Sequence, residues 1–401
     1  MFFFIYLVED HYNDIINYSP RCIENYYADI CDGSYYQSQS TDGKFVSLVW
    51  HIDGAPTINS KTLEIWLILA FVIELPVSAR FCLRNVLLCG IWFVDQKPDF
   101  DLFQLHFVRE IKHLKNNGFN INHNGNIVPF SLKIFSSLAD LPARAASLKL
   151  KQFNGKFGCP VCYHPGRQHD DNHLIRLYRH RAKKFPLRTA TESIAYADLA
   201  EETGSAVMGW KGRSVVLDII EIPNQTPFDY MHLVLEGELK RKLVCFFFPP
   251  NGILSKPDLN AVNKILRKIK FPHDFSKKVS SISEKLIRRA KAGEMQVLLL
   301  HVLLPAVKSF IPNHIFCHLG LLVTALQLLN NDVATDEDII VAEEMLDEYH
   351  RVDVELYGET SQTFTNHALI HFADQRRKHG CPLLLLSNSI FEGFIASLKR
   401  Q

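Results

Sequence analysis

Cys159 and Cys162, in the stretch GKFGCPVCYHPG (155–166), have the spacing with which two thiolates grip one metal ion from a tight turn. A structural zinc ion takes four protein ligands, and the chain carries no second C-x-x-C. NHALIH supplies a candidate other half: His367 and His371, at i and i+4, share one helix face a single turn apart. A Cys₂His₂ site of this kind would tie together segments 205 positions apart (367 − 162). Two alternatives stay open. Cys162 can team with His164 or His169 in a local zinc knuckle, and His367 and His371 can be ordinary half-buried residues among the 18 histidines.

Carboxylates form a second set. Asp53 ends the apolar run FVSLVWHID, and Asp140 stands between the apolar run NIVPFSLKIFSSLA and the helix-like LPARAASLKL. At strand ends such side chains are held rigidly, where they can bind a divalent cation; either can equally be a turn former or helix N-cap. Glu392 follows His371 by 21 positions (392 − 371), at the start of FEGFIASLKR. If the zinc clip forms, it draws that last helix back beside the strands carrying Asp53 and Asp140. Three convergent carboxylates are what a two-metal phosphoryl-transfer site needs, with hard cations about 3.5–4 Å apart.

These residues need elements to hold them. FVSLVWHID reads as a strand ending at the turn Gly54–Ala55–Pro56, and SARFCLRNVLLCGIWF as a second buried element. FDLFQLHFVREIKHLKNNG reads as an amphipathic helix with Phe103, Phe107, Ile111 and Leu114 on its apolar stripe, closed by Gly118. From about 200 to 360, LNAVNKILRKI, ISEKLIRRAKAGEMQVLLLHVLL, IFCHLGLLVTALQLL and DEDIIVAEEMLDEYHRVDVELY carry helical periodicity. The last forty residues read as helix, turn, apolar segment and helix. MFFFIYLV is far too short to span a membrane and lacks a signal-peptide pattern; it reads as a buried strand or the stump of a longer protein. No internal repeat or low-complexity stretch interrupts the pattern.

The totals agree with a large soluble fold: 401 residues, 47% hydrophobic, 22% charged, net charge +1. That charge names no partner, but basic residues cluster at 176–188, 264–270, 285–291 and 376–379, runs that usually form solvated helix faces. Apart from the C-x-x-C pair, the nine cysteines are scattered singly, which excludes a secreted disulfide framework and points to a reducing compartment, nucleus or cytosol.

The runs HIDGAPTINS, IELPVSARFCLRNVLLCGIW, DLPARA, FNGKFGCPVCYHPG, FDYMHLVLEG, RRAKAGEMQVLLL and NHALIHF…GCPLLLLSNSIFEGFIASLK occur in that order. Together, over roughly residues 30–400, the chain resembles a transposase of the CACTA (En/Spm-like) type in its animal branch. The spacing of acids, C-x-x-C and paired histidines is also similar to that of the catalytic subunit of the V(D)J recombinase. The resemblance implies an α/β ribonuclease-H-like core, a mixed sheet with flanking helices, interrupted by a large, mostly helical insertion. It divides the chain into an N-terminal remnant of a longer protein (1–40), the first part of the core with the C-x-x-C (41–165), the helical insertion (166–360) and a return to the core (361–401).

It further implies a DDE enzyme of the nucleus, in which Asp53, Asp140 and Glu392 hold two Mg²⁺ or Mn²⁺ ions for DNA phosphodiester hydrolysis and strand transfer. For the third acid, Glu236, Glu238 and Glu294 compete with Glu392. Cys159, Cys162, His367 and His371 would hold structural Zn²⁺, and the D-x-x-H of Asp229 and His232 would play a supporting part. DNA ends and target are the implied partners, with a homo-oligomer on DNA and no membrane. Two departures, a start close to the catalytic region and a stop nine residues after Glu392 (401 − 392), point to a fragment, a decayed element or a host gene. The alternative is a non-catalytic domesticated protein that binds nuclear DNA or chromatin.

Overall fold

A computed structural model describes residues 2–18, 26–39, 43–56, 63–95, 97–250, 252–273, 275 and 277–398. Its centre is a mixed five-stranded sheet built from β1 (Phe45–Pro56), β2 (Glu64–Val72), β3 (Leu87–Val94), β4 (Phe119–His123) and β5 (Asn126–Leu138), in the order β3-β2-β1-β5-β4. β1, β2 and β3 form an antiparallel meander, and β5 returns parallel to β1. The crossover that permits this parallel return is helix α2 (Phe100–Asn117), followed by β4, which pairs antiparallel with β5.

Alternation along β1 explains both layers. Val46, Leu48, Trp50 and Ile52 face one side, where the α2 stripe of Phe103, Phe107, Ile111 and Leu114 packs, with Phe107 5.1 Å from the Trp50 ring. Asp99 caps α2 by accepting hydrogen bonds from the Asp101 and Leu102 amides, and Gly118 follows its last turn. Val49 and Phe71 face the other side, where Phe391 and Ile395 of the terminal helix cover them. The sequence reading ended β1 at Gly54–Pro56; instead β1 pairs with β2 through Pro56. Gly54 is needed there because a Cβ would lie 2.4 Å from the Trp66 ring.

Three other expectations change. The N-terminal apolar run is not a strand but helix α1 (Phe2–Asp10), with Phe4 against Phe119 at 5.0 Å and Tyr6 turned to solvent. Residues 78–93 are not one buried element. They hold a short helix (Val77–Arg80), a turn, and β3, a sheet edge whose Leu88, Ile91 and Phe93 are exposed. The helix expected over ISEKLIRRAKAGEMQVLLLHVLL breaks at Ala290, which is extended (ψ 139°).

After the sheet come α3 (Leu141–Ser147) and α4 (Ala190–Thr203); the helical part holds α5 (231–247), α6 (Asn313–Asn330), α7 (Asp336–Tyr357) and α8 (364–379), with shorter helices between α5 and α6, and α9 (Ser389–Leu398) returns to the sheet. The core of the helical part contains Leu233, Leu239, Leu299, Leu322, Leu326 and Leu346. Ala197, Ala200, Trp210 and Ile219, from the first part of the expected insertion, belong instead to the core of the sheet and α2. Residues 26–39 are bound into the molecule as well: Tyr26–Tyr27 pair with Ala334–Thr335, and Arg80 grips Asp29 through both terminal nitrogens, at 2.7 and 2.9 Å. Lys399–Gln401, the end of the sequence-predicted terminal helix, lie outside the described residues. Among the described residues, no helix is long and apolar enough to cross a membrane.

Candidate metal centre and carboxylate cluster

Cys159 and Cys162 sit in an irregular segment held by backbone and side-chain bonds rather than by long elements. Arg188, itself buried, donates from Nε to the Cys159 carbonyl at 2.8 Å, and its amide donates to Val161 O. The Tyr178 amide ties the segment to Gln362 O at 2.7 Å, just before α8, which carries His367 and His371. The result is a buried quartet. Cys162 Sγ lies 3.4 Å from His367 Nε2 and Cys159 Sγ lies 3.8 Å from His371 Nε2, and all four donor atoms fall within 4.8 Å of one another.

The donor set fits zinc. With Zn–S about 2.3 Å and Zn–N about 2.0–2.1 Å, ligand atoms at the corners of a tetrahedron lie about 3.3–3.8 Å apart. Burial opposes ionisation of Cys159, yet hydrogen bonds with Cys162, His367 and His371 hold its thiol well below the ordinary range. A thiolate is what a metal requires. With four protein donors this quartet could bind a structural zinc ion and leave no position for substrate. The local knuckle does not form: His164 Nε2 meets Arg179 O at 3.1 Å while its Nδ1 accepts from the Gly166 amide, and His169 Nδ1 accepts from the Asp171 and Asn172 amides.

The candidate carboxylates lie not far away: buried Arg144 feels the charges of Asp229 and Asp140 and also that of Cys159. β1 and β5 pair in parallel with His51 opposite Leu138. Carried two residues further, that register sets Asp53, within β1, beside Asp140, just past the end of β5, on neighbouring strands that run about 4.8 Å apart. Asp140 is also the N-cap of α3, its Oδ1 accepting from the Ala143 amide at 2.6 Å. Asp53 Oδ1 accepts from the Gly54 amide at 2.8 Å. Burial first, and then the charge of Asp140, push the Asp53 carboxyl up to about 7, with a smaller push from Glu392.

Glu392 arrives from the end of the chain. Beside it Phe391 is buried flat against the His51 ring, centroids 4.5 Å apart and planes 6° apart, and 5.6 Å from Phe71. His232 Nε2 lies 3.7 Å from Glu392 Oε1, while His232 Nδ1 binds Asp229 Oδ2 at 2.5 Å. Burial works against the imidazolium, but the Asp229 hydrogen bond and charge outweigh it and raise His232 to about 9. Asp229 is itself fixed by Ser387 Oγ at 2.9 Å and the Asn388 amide at 3.0 Å. Among the described residues, no lysine or arginine forms an ion pair with Asp53, Asp140 or Glu392.

The competing acids are otherwise engaged. Glu238 is fully buried, accepting from Arg241 at 2.9 Å, Thr365 at 2.8 Å and Tyr349 at 3.0 Å. Glu294 accepts from the Lys291 amide at 2.9 Å, and Glu236 lies 3.5 Å from Lys240, close enough to Glu392 to raise its carboxyl. Sequence reasoning missed His51, Arg144, Ser387 and Asn388. Strand alternation in HID would have shown His51, since it shares the face of Asp53. Arg144 is buried against Thr226 O at 3.1 Å and the face of Phe228, and nothing local in the sequence marks it.

No protein-family model matches the chain, and no curated protein matches its sequence.

Proposed function

We propose that the chain is a transposase-derived DDE nuclease and DNA strand transferase core with a ribonuclease-H-like sheet, acting on DNA in the nucleus. The observation that carries this reading is the strand register that sets Asp53 beside Asp140, with Glu392 near enough to add to the upward push on the Asp53 carboxyl and, among the described residues, no lysine or arginine ion-paired with any of the three. An antiparallel meander, a helical crossover and a return strand parallel to the first support the ribonuclease-H-like assignment. Mutually repelling, partly desolvated carboxylates are the donor set for hard divalent cations, and Mg²⁺ or Mn²⁺ there would activate an oxygen nucleophile and stabilise the leaving oxygen of a phosphodiester.

The chain's own residues hold the donors in place. The Ala143 amide occupies one oxygen of Asp140 and leaves the other to ligate. Asp53 offers Oδ2 in the same way beside the Gly54 amide. Asp229 and His232 hold the approach to Glu392 from the helical part. The reaction would be hydrolysis of one DNA strand by water, then attack of the freed 3′-hydroxyl on a target phosphodiester, with no covalent protein intermediate. Exposed arginines such as Arg288 and Arg289 would contact phosphate, giving affinity that falls steeply with salt.

The test is metal-dependent nicking of supercoiled plasmid in Mn²⁺ by the wild type and by Asp140→Asn. Asparagine caps a helix as well as aspartate, so the variant should stay folded, yet nicking should disappear. Equal nicking by the variant assigns the activity elsewhere. A wild type that binds DNA but neither nicks it nor binds Mn²⁺ favours the non-catalytic chromatin-binding alternative.

A further inference from the structure

His367 presents Nε2 to Cys162 Sγ, so a bound metal would sit on Nε2 and Nδ1 would carry the proton. That Nδ1 is buried and has no hydrogen-bond partner. A metal-bound imidazole almost always donates its other N–H to an acceptor that fixes the ring, so the orphan is informative. His350, on α7, lies next to it, with ring centroids 5.9 Å apart. His350 Nε2 is 2.8 Å from the Tyr178 carbonyl, which can only accept, so Nε2 holds the His350 proton and Nδ1 a lone pair. His350 Nδ1 is likewise buried and without a partner. The nearby His164 cannot serve, because its Nδ1 is taken by the Gly166 amide.

We propose that His350 is the outer-shell acceptor for His367, a positioning residue that takes the Nδ1–H of the imidazole once a metal draws Nε2 into the quartet. The arrangement links metal affinity to the packing of α7 in the helical part. It rests on the quartet holding a metal and not on the nuclease reading.

Two substitutions separate this role from plain packing. Asparagine at 350 keeps an acceptor oxygen near the place of Nδ1 and gives up the Tyr178 contact. Glutamine keeps a donor near the place of Nε2 and gives up the acceptor. Zinc affinity of the full chain, measured by competition with a chromophoric chelator, should stay near wild type in His350→Asn and fall roughly 10–100-fold in His350→Gln. Cobalt substitution gives a second readout: the visible d–d bands of the Co²⁺ form should shift in His350→Gln and not in His350→Asn. The reverse order, equal losses, or no loss in either variant overturns the proposal. A wild-type chain that binds no zinc overturns the quartet itself, a separate outcome from an unchanged affinity in the variants.

Discussion

Stripping zinc, or changing Cys159→Ser, should lower the melting temperature by several degrees at least. The quartet joins residues 205 positions apart through Cys162 and His367. Treated as a cross-link, closing a loop of about 200 residues removes enough denatured-chain entropy to be worth roughly 5 kcal/mol. An unfolding entropy of about 2.1 cal/mol/K per residue over 401 residues comes to ~0.84 kcal/mol/K, so that loss corresponds to ~6 °C. Zinc bound to finger peptides is worth about 10–16 kcal/mol, so the cross-link figure is a floor rather than a ceiling. The irregular segment around Cys159 has few long elements to hold it once the tie is cut. Differential scanning fluorimetry of the purified chain, with metal content followed during chelation, is the assay. Cys159→Ser with an unchanged melting temperature, or complete removal of zinc without a shift, would refute the tie.

Three further outcomes follow from other parts of the molecule. Burial works to raise the Asp29 carboxyl, but the paired Arg80 nitrogens and the Ile30 amide outweigh it and hold it below its ordinary value. Its stabilising effect is therefore complete above about pH 4, the unfolded value, and fades as pH falls through the lower folded one. Melting curves of the wild type and Asp29→Asn should converge on acidification; a constant gap from pH 7 to 2 would contradict this. Gly33→Ala places a Cβ 2.4 Å from Lys378 O and 2.6 Å from Gly380 N, backbone atoms that cannot swing away, and should cost about 1–3 kcal/mol in chemical denaturation. Phe391→Ala empties the stack on His51 and Phe71, at a cost of about 3–5 kcal/mol if α9 stays docked. If α9 instead undocks, Mn²⁺ affinity by calorimetry should drop as far as in Glu392→Gln; unchanged stability and unchanged affinity together would show that Phe391 is no anchor.

Where local signals agreed, the sequence was legible. In α2, the stripe of Phe103, Phe107, Ile111 and Leu114 and Gly118 after it specify the same helix. The run into Asp140 changes from a strand-like to a helix-like pattern at a residue suited to an N-cap, and the structure places strand, cap and helix there. The quartet was legible because i, i+4 histidines and C-x-x-C are geometric statements in themselves. MFFFIYLV was ambiguous, since a short apolar run fits either a strand or a buried helix and only contact with Phe119 decides. β3 was misread because its apolar residues lie on a sheet edge, which periodicity does not reveal. The partners of Asp229, Ser387 and Asn388, are about 160 positions away, beyond any local pattern.

The two clusters do different work on the path between them. α8 carries His371 and then ends at Gly380, whose φ of 73° turns the chain back. Leu383 and Leu386 are buried on the return, and Ser387 and Asn388 bind Asp229 before α9 begins. Phe391 then docks on His51, two residues before Asp53 on β1. Glu392 is thus placed by one anchor in the helical part, Asp229, and one on the sheet, His51, and neither belongs to the zinc quartet. The quartet fixes the root of this return and not its tip. Loss of zinc should therefore first loosen the irregular segment around Cys159 from α8, both of which pack in the core of the helical part. Loss of Asp229 should misplace Glu392 while the quartet stays intact, because the bonds it breaks lie on the far side of the return from His367 and His371.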